Sequence, residues 1–285
     1  MKKIIALTLI AVICAAIFAG CGGGDGNKML SQIMKEKKLV VALSPDFAPM
    51  EFVDTSKTGQ EQYVGFDVSL AKYIAQELGV ELVIEAMDFT SCQAAVQLGS
   101  VNMSISGYSA TDERKENFAI SDYYYAGDNE SRQCIMVLKD RQAELSTAEA
   151  FAGKNVAAQN ASLQMNLLTS QLPDANPVAI VDLGTAVLEL ISGKVDALCV
   201  AKGNGEAFIA NYPELALSDW EFTVEDEGNV ILIPKGETAL LEKVNEILQK
   251  AYDAGYYGPW YDEAKELSGS ATAQELSIPE EGSAE

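Results

Sequence analysis

Short apolar runs alternate with amphipathic helical stretches along this chain, in two successive series, which restricts the fold to helices packed on largely parallel sheets. Residues 39–43 (LVVAL) form a continuous apolar run, as a strand buried on both faces requires. Residues 66–78 place Val68, Ala71, Ala75 and Leu78 on one helical stripe, and Gly79 ends it. A strand at 81–87, a short helix at 92–98 and a strand at 102–106 follow. The second series has strands at 133–138 (QCIMVL), 155–158, 178–181 and 195–200, with helices at 163–172 and 184–191. A strand at 229–233 and a helix at 237–252, with Leu240, Val244, Leu248 and Tyr252 aligned, close the pattern. The pattern breaks at 125–132 and again at 222–228. If the chain crosses at both breaks, residues 30–125 plus 229–267 make one lobe, 126–228 the other, and two strands hinge a cleft.

The termini read differently. Lys2 and Lys3 precede an apolar stretch, 4–18, that ends in Phe18-Ala19-Gly20-Cys21. Small residues before a lone cysteine resemble a bacterial lipoprotein box, with Phe18 where leucine is usual. Residues 1–20 are therefore expected to be a signal peptide, Cys21 the lipidated residue, and 21–29 a flexible tether. Residues 268–285, small and acidic, are expected to be a disordered tail. No later segment approaches the roughly 20 apolar residues of a membrane-spanning helix.

A formal charge of −22 argues against nucleic-acid partners and against anionic membrane surfaces. The absence of histidine removes His-based triads and ordinary catalytic zinc sites, so no metal and no cofactor are expected. Cys92, Cys134 and Cys199 lack CxxC spacing and lie in apolar or helical runs, as buried thiols do. A Cys134–Cys199 bridge stays open at this level.

Residues 103–124 (MSISGYSATDERKENFAISDYY) carry the most chemistry. A strand ends near Ser106-Gly107, and Thr111 stands at a helix N-cap. Asp112 and Glu113 suit the first turn, whereas Arg114 is a cation at the positive end of the helix dipole. An anionic ligand held bidentate at a strand's C-terminal end explains that placement.

Together these segments resemble the extracytoplasmic substrate-binding proteins of ABC importers, in the polar amino-acid group called family 3. The resemblance rests on LVVALSPDFAPMEFVD, on Val64-Gly65-Phe66-Asp67-Val68, on the 103–124 stretch, on Gly153-Lys154-Asn155-Val156 and on Val195-Asp196-Ala197. It implies a two-lobed, type II periplasmic-binding-protein-like α/β fold that closes over its ligand. It implies that Arg114 pairs with a ligand carboxylate, and that Gly107 and Ser109 offer a carbonyl and a hydroxyl. Phe47 would stack on the ligand, Phe89 would wall the pocket, Ser162 would meet the carboxylate from the second lobe, and Tyr108 would line the site. Ala161 replaces the glycine usual before Ser162.

One departure bears on the ligand. The family's acidic partner for the ligand ammonium falls at Ala201, so either another acid, with Glu206 and Asp182 as candidates, takes its place or the ligand lacks an ordinary α-ammonium. Ser44 stands where relatives selective for cationic amino acids carry an acid, which points away from a basic side chain. The function implied is a membrane-anchored, monomeric, non-enzymatic component that hands a small carboxylate-bearing solute to an ABC permease. A dehydratase-like enzyme on the same fold, or a ligand-sensing lipoprotein acting through a receptor, are the alternatives.

Overall fold

The computed structural model describes residues 28–125, 132–224 and 228–270. The expected signal peptide, Cys21 and nearly all of the tether and tail lie outside the described residues, as do 126–131 and 225–227 at the two breaks.

Two five-stranded sheets form the framework. The first runs β5 (Glu81–Ala86), β1 (Lys38–Leu43), β6 (Met103–Ser109), β13 (Asn229–Pro234), β7 (Phe118–Ile120). The second runs β10 (Asn176–Ile180), β9 (Asn155–Gln159), β11 (Ala197–Ala201), β8 (Gln133–Leu138), β12 (Leu215–Phe222). A small antiparallel sheet joins β2 (Asp46–Phe47), β3 (Glu51–Val53) and β4 (Tyr63–Val64).

Helices flank both large sheets. In chain order they are α1 (Lys28–Glu36), α2 (Phe66–Leu78), α3 (Phe89–Leu98), α4 (Asp112–Asn117), α5 (Leu163–Gln171), α6 (Leu183–Ile191), α7 (Lys202–Asn211), α8 (Thr238–Asp253) and α9 (Tyr257–Ser270).

Each sheet is parallel only in part. β1 pairs parallel with β5 and β6, and β9 pairs parallel with β10 and β11. β13 runs antiparallel to β6 and β7, and β8 antiparallel to β11 and β12. The parallel pairs are joined through helices, as crossover connections require; β8 and β13, which open the stretches after the two breaks, are free of that constraint. The central strands β1, β8 and β13 are almost wholly buried and read as apolar runs, while β6 is as deeply buried but alternates apolar residues with serines.

Several boundaries differ from expectation for local reasons. α1 takes in Lys28 and Met29, assigned above to the tether, because Met29 is buried and its N–H donates to Glu237 at 2.9 Å. α9 continues three residues past 267, into the expected tail. Its aromatic residues Tyr257, Trp260 and Tyr261 surround Phe66 of α2, with ring centroids 5.8–6.3 Å away. α3 begins at Phe89 rather than 92, because Asp88 accepts the backbone N–H groups of Thr90 and Ser91. The three described cysteines are buried free thiols. Cys134 lies opposite Val200 and Cys199 opposite Ile135, so the two sulfurs leave opposite faces of the second sheet and cannot bond.

Candidate functional site

The C-terminal end of β6 and the short helix after it place the central arginine. Thr111 caps α4, accepting the Arg114 N–H at 3.3 Å. α4 has six residues, so Arg114 is as near its last turn as its first, and the dipole argument for its placement loses force. What fixes Arg114 is more specific. Its Nη1 donates to the Ser109 carbonyl at 2.8 Å, and its Nη2 to the Ala161 carbonyl, across the cleft, at 3.0 Å. Its guanidinium carbon lies 5.0 Å from the Tyr108 ring centre and 5.4 Å from that of Phe89, and those two rings stack on each other. The group is thus buried, oriented by two carbonyls and backed by two aromatic faces.

This arginine opens on a narrow cavity between the sheets. Phe47, Phe89, Gly107, Ser109, Arg114 and Ser162 line it, so six of the seven expected site residues converge. Tyr108 does not. It is fully buried behind Arg114, with its hydroxyl 2.9 Å from Ser104 Oγ, and the expected ligand contact becomes support for the guanidinium. Gly107 adopts φ +54°, and a Cβ there would lie 2.8 Å from the Phe47 ring, so only glycine lets that aromatic reach the cavity.

Facing Arg114 is the N-terminus of α5. Ser162 caps it, its Oγ accepting the Met165 N–H at 3.1 Å while its own proton stays available to donate. Leu163 and Gln164, the first helical residues, also line the cavity. First-turn N–H groups have no partner within their own helix, so this end suits a carboxylate. Ala161 holds φ +57°, a conformation costly for any residue with a Cβ, and its carbonyl is the one that Arg114 grips.

The acids lie elsewhere than expected. Asp182 caps α6 by accepting the Thr185 N–H, and Glu206 pairs with Lys202 and Lys265; neither lines the cavity. Glu51 lines it instead, fully buried, its Oε1 accepting from Ser106 Oγ at 2.5 Å. Burial, with Asp67 beside it, pushes the Glu51 carboxyl well above the usual range. Asp67 accepts the Gly107 N–H at 2.8 Å and the Tyr124 hydroxyl at 2.9 Å, and burial raises it to about 6. Asp46 is also raised to about 6 by burial. Its Oδ2 accepts from Leu183 N at 2.9 Å and from Gln159 Nε2 at 3.0 Å, both carried by the second sheet's half of the molecule.

Ser106, Gln133, Gln159, Gln164 and Asn229 complete the lining and are not expected from the sequence as site residues. Gln133 opens β8 ahead of an apolar run, a position that by itself reads as a strand end. Glu51 did carry a signal, since a charge between Met50 and Phe52 inside a buried turn of chain demands a reason. Further contacts join the two halves. Asn204 Nδ2 donates to the Ala48 carbonyl at 3.0 Å, and Phe47 packs against apolar clusters on both sides. The structure is a closed two-lobed arrangement.

The sequence profile of the bacterial extracellular solute-binding proteins, family 3, matches residues 39–263. A probable histidine-binding protein of Campylobacter jejuni is 28% identical over 258 residues, 90% of this chain and 96% of the relative. An arginine-binding extracellular protein of Bacillus subtilis is 29% identical, over 90% of this chain and 94% of the relative. The crystal structure of an amino acid ABC transporter substrate-binding protein of Streptococcus pneumoniae, bound to L-arginine, superposes with a TM-score of 0.77. It is 34% identical and covers 84% of this chain and 98% of its own. The chain belongs to the bacterial extracellular solute-binding proteins of family 3, and its fold is their two-lobed type II fold.

Proposed function

We propose that this protein captures an amino acid, or a close carboxylate-bearing relative, outside the cytoplasm and delivers it to an ABC permease. Arg114 carries the reading: it is a buried guanidinium on the cavity wall, opposite the capped start of α5. A ligand carboxylate would displace the Ala161 carbonyl from Arg114 and take hydrogen bonds from Ser162 and the α5 N–H groups. Phe47 would cover the ligand's carbon skeleton, and Gly107 and Ser109 would contact its polar groups. A charge-assisted pair contributes about 1.5–3 kcal/mol, while micromolar affinity needs about 8, so aromatic burial and lobe closure supply the larger part.

The protein binds its ligand without turning it over and acts as a monomer. The sequence of the leader supports anchoring through lipid at Cys21 on the extracytoplasmic face, and labelling with a radioactive fatty acid tests it: a Cys21→Ser variant should lose the label. A thermal-shift screen of the amino acids tests the function. A true ligand at 100 times its Kd should stabilise the protein by about 2.7 kcal/mol. If no amino acid raises the melting temperature, the reading fails. Recovery of a chemically altered ligand after long incubation would favour the enzyme alternative.

A further inference from the structure

Charge is distributed unevenly around the cavity. Arg114 and Glu51 come from the lobe built on the first sheet, while Gln133, Gln159, Ser162 and Gln164 face them with amides and a hydroxyl. Ala201 pairs directly across β11 and β8 with Gln133, so the two side chains share a face. Where the family resemblance calls for an acid, that face offers a methyl and an amide. Glu51, meanwhile, is a fully buried carboxyl at the cavity floor whose Oε2 meets no donor among the described residues. Both oxygens of Asp67 are engaged by Gly107 and Tyr124, so Asp67 does not have the same need. The other interaction of Glu51 is with the Asp67 carboxyl, through a proton that one of the two acids must hold, and a cationic donor brought by a ligand takes that proton's place.

We propose that Glu51 receives a cationic nitrogen of the ligand, its α-ammonium or a side-chain cation, and so supplies from the first lobe the negative charge that position 201 lacks. This rests on the amino-acid reading given above. Both poles of the ligand are then gripped by one lobe, and the second lobe closes over them with neutral groups only.

A proton is linked to this event. The titratable groups facing Glu51 are Asp67 on α2, Asp46 on β2, Cys92 on α3 and Tyr108 on β6, with Asp67 in direct interaction. Two buried carboxyls in contact hold a proton between them when no cation is present. An arriving cation takes the place of that proton, which passes to the buffer, so binding tightens as the pH rises.

Isothermal titration of the purified protein with L-arginine, L-citrulline and L-glutamine, each in two buffers of different ionisation enthalpy, reads both affinity and proton release. Binding of any one of these by the unaltered protein upholds the amino-acid reading by itself; if none binds, the titration is made with whichever amino acid the thermal-shift screen finds, and if that screen finds none, that reading and this proposal fall together. Glu51→Gln keeps the size of the side chain and an acceptor for Ser106. It should weaken binding by roughly 10- to 100-fold and abolish proton release, with the melting temperature undiminished. Loss with L-arginine but not L-citrulline assigns the side-chain cation; equal loss with both assigns the α-ammonium. Glu51→Asp, which keeps the charge, should bind with intermediate affinity and still release a proton, and it serves if Glu51→Gln does not fold. Affinity within about twofold of the unaltered protein and unchanged proton release in Glu51→Gln would overturn the proposal while leaving the amino-acid reading intact.

Discussion

Gly107 shows how narrow the tolerances of this site are. Its φ of +54° lies in the left-handed region, its N–H holds Asp67, and the missing Cβ leaves room for the Phe47 ring and for Asn229, 3.3 Å from where that carbon would stand. Gly107→Ala should therefore destabilise the protein by about 1–3 kcal/mol, through backbone strain and a displaced aromatic ring. Chemical denaturation measures that loss, and ligand affinity should fall alongside it. A variant as stable as the parent would mean that Phe47 has another place to go. Arg114 and Phe47 were legible in the sequence because both sit inside a motif with a chemical reason for their type. Tyr108 lies away from the cavity that its neighbours Gly107 and Ser109 line, because strand register, and not residue type, decides which of consecutive side chains meets it. Glu51 lies within the residues 39–54 motif, but the burial that sets its carboxyl apart is supplied only by the folded chain.

The helices that frame the cavity depend on their caps. Ser162 accepts the Met165 N–H at the start of α5 and also faces the ligand space. Ser162→Ala should lower stability by about 1 kcal/mol for the lost cap and, separately, weaken ligand binding. Melting curves with and without ligand separate the two effects, since the second adds to the loss only when ligand is present. At this scale the sequence was informative where periodicity was strong. The apolar stripe of 66–78 matches α2, and the run 133–138 matches β8. It was silent where the signal was mixed. α7 contains Gly203 and Gly205, which discourage a helical reading, yet the helix packs closely there: a Cβ on Gly205 would lie 2.8 Å from the Leu217 side chain. β12 mixes polar and apolar residues at the edge of its sheet and carries no regular alternation.

For the whole molecule, pH gives a directional test. Burial raises Glu51, Asp67 and Asp46 above their ordinary values, the last two to about 6. A carboxyl raised on folding favours the folded state in its protonated form. Its contribution is full below the ordinary carboxyl range and is lost as the pH rises through about 6. Repulsion within a chain of formal charge −22 acts in the same direction. The ligand-free protein should therefore melt at a higher temperature in mildly acidic than in mildly alkaline buffer. Calorimetry across that range checks it, and a melting temperature that rises steadily with pH would contradict it. The two-lobed plan was legible from the two βα series. The closed contact between the lobes was not, because Asp46, Arg114 and Asn204 reach partners 137, 47 and 156 residues away, separations that no local pattern encodes.

The proposed function turns on Arg114 meeting a ligand carboxylate between the two lobes. Mass spectrometry of small molecules released by denaturing the purified protein addresses that directly, with Arg114→Ala prepared in parallel. A carboxylate-bearing amino compound should be released in near-stoichiometric amount from the parent and be absent from the variant. Equal retention by Arg114→Ala, or a released compound that carries no carboxylate, would contradict the account.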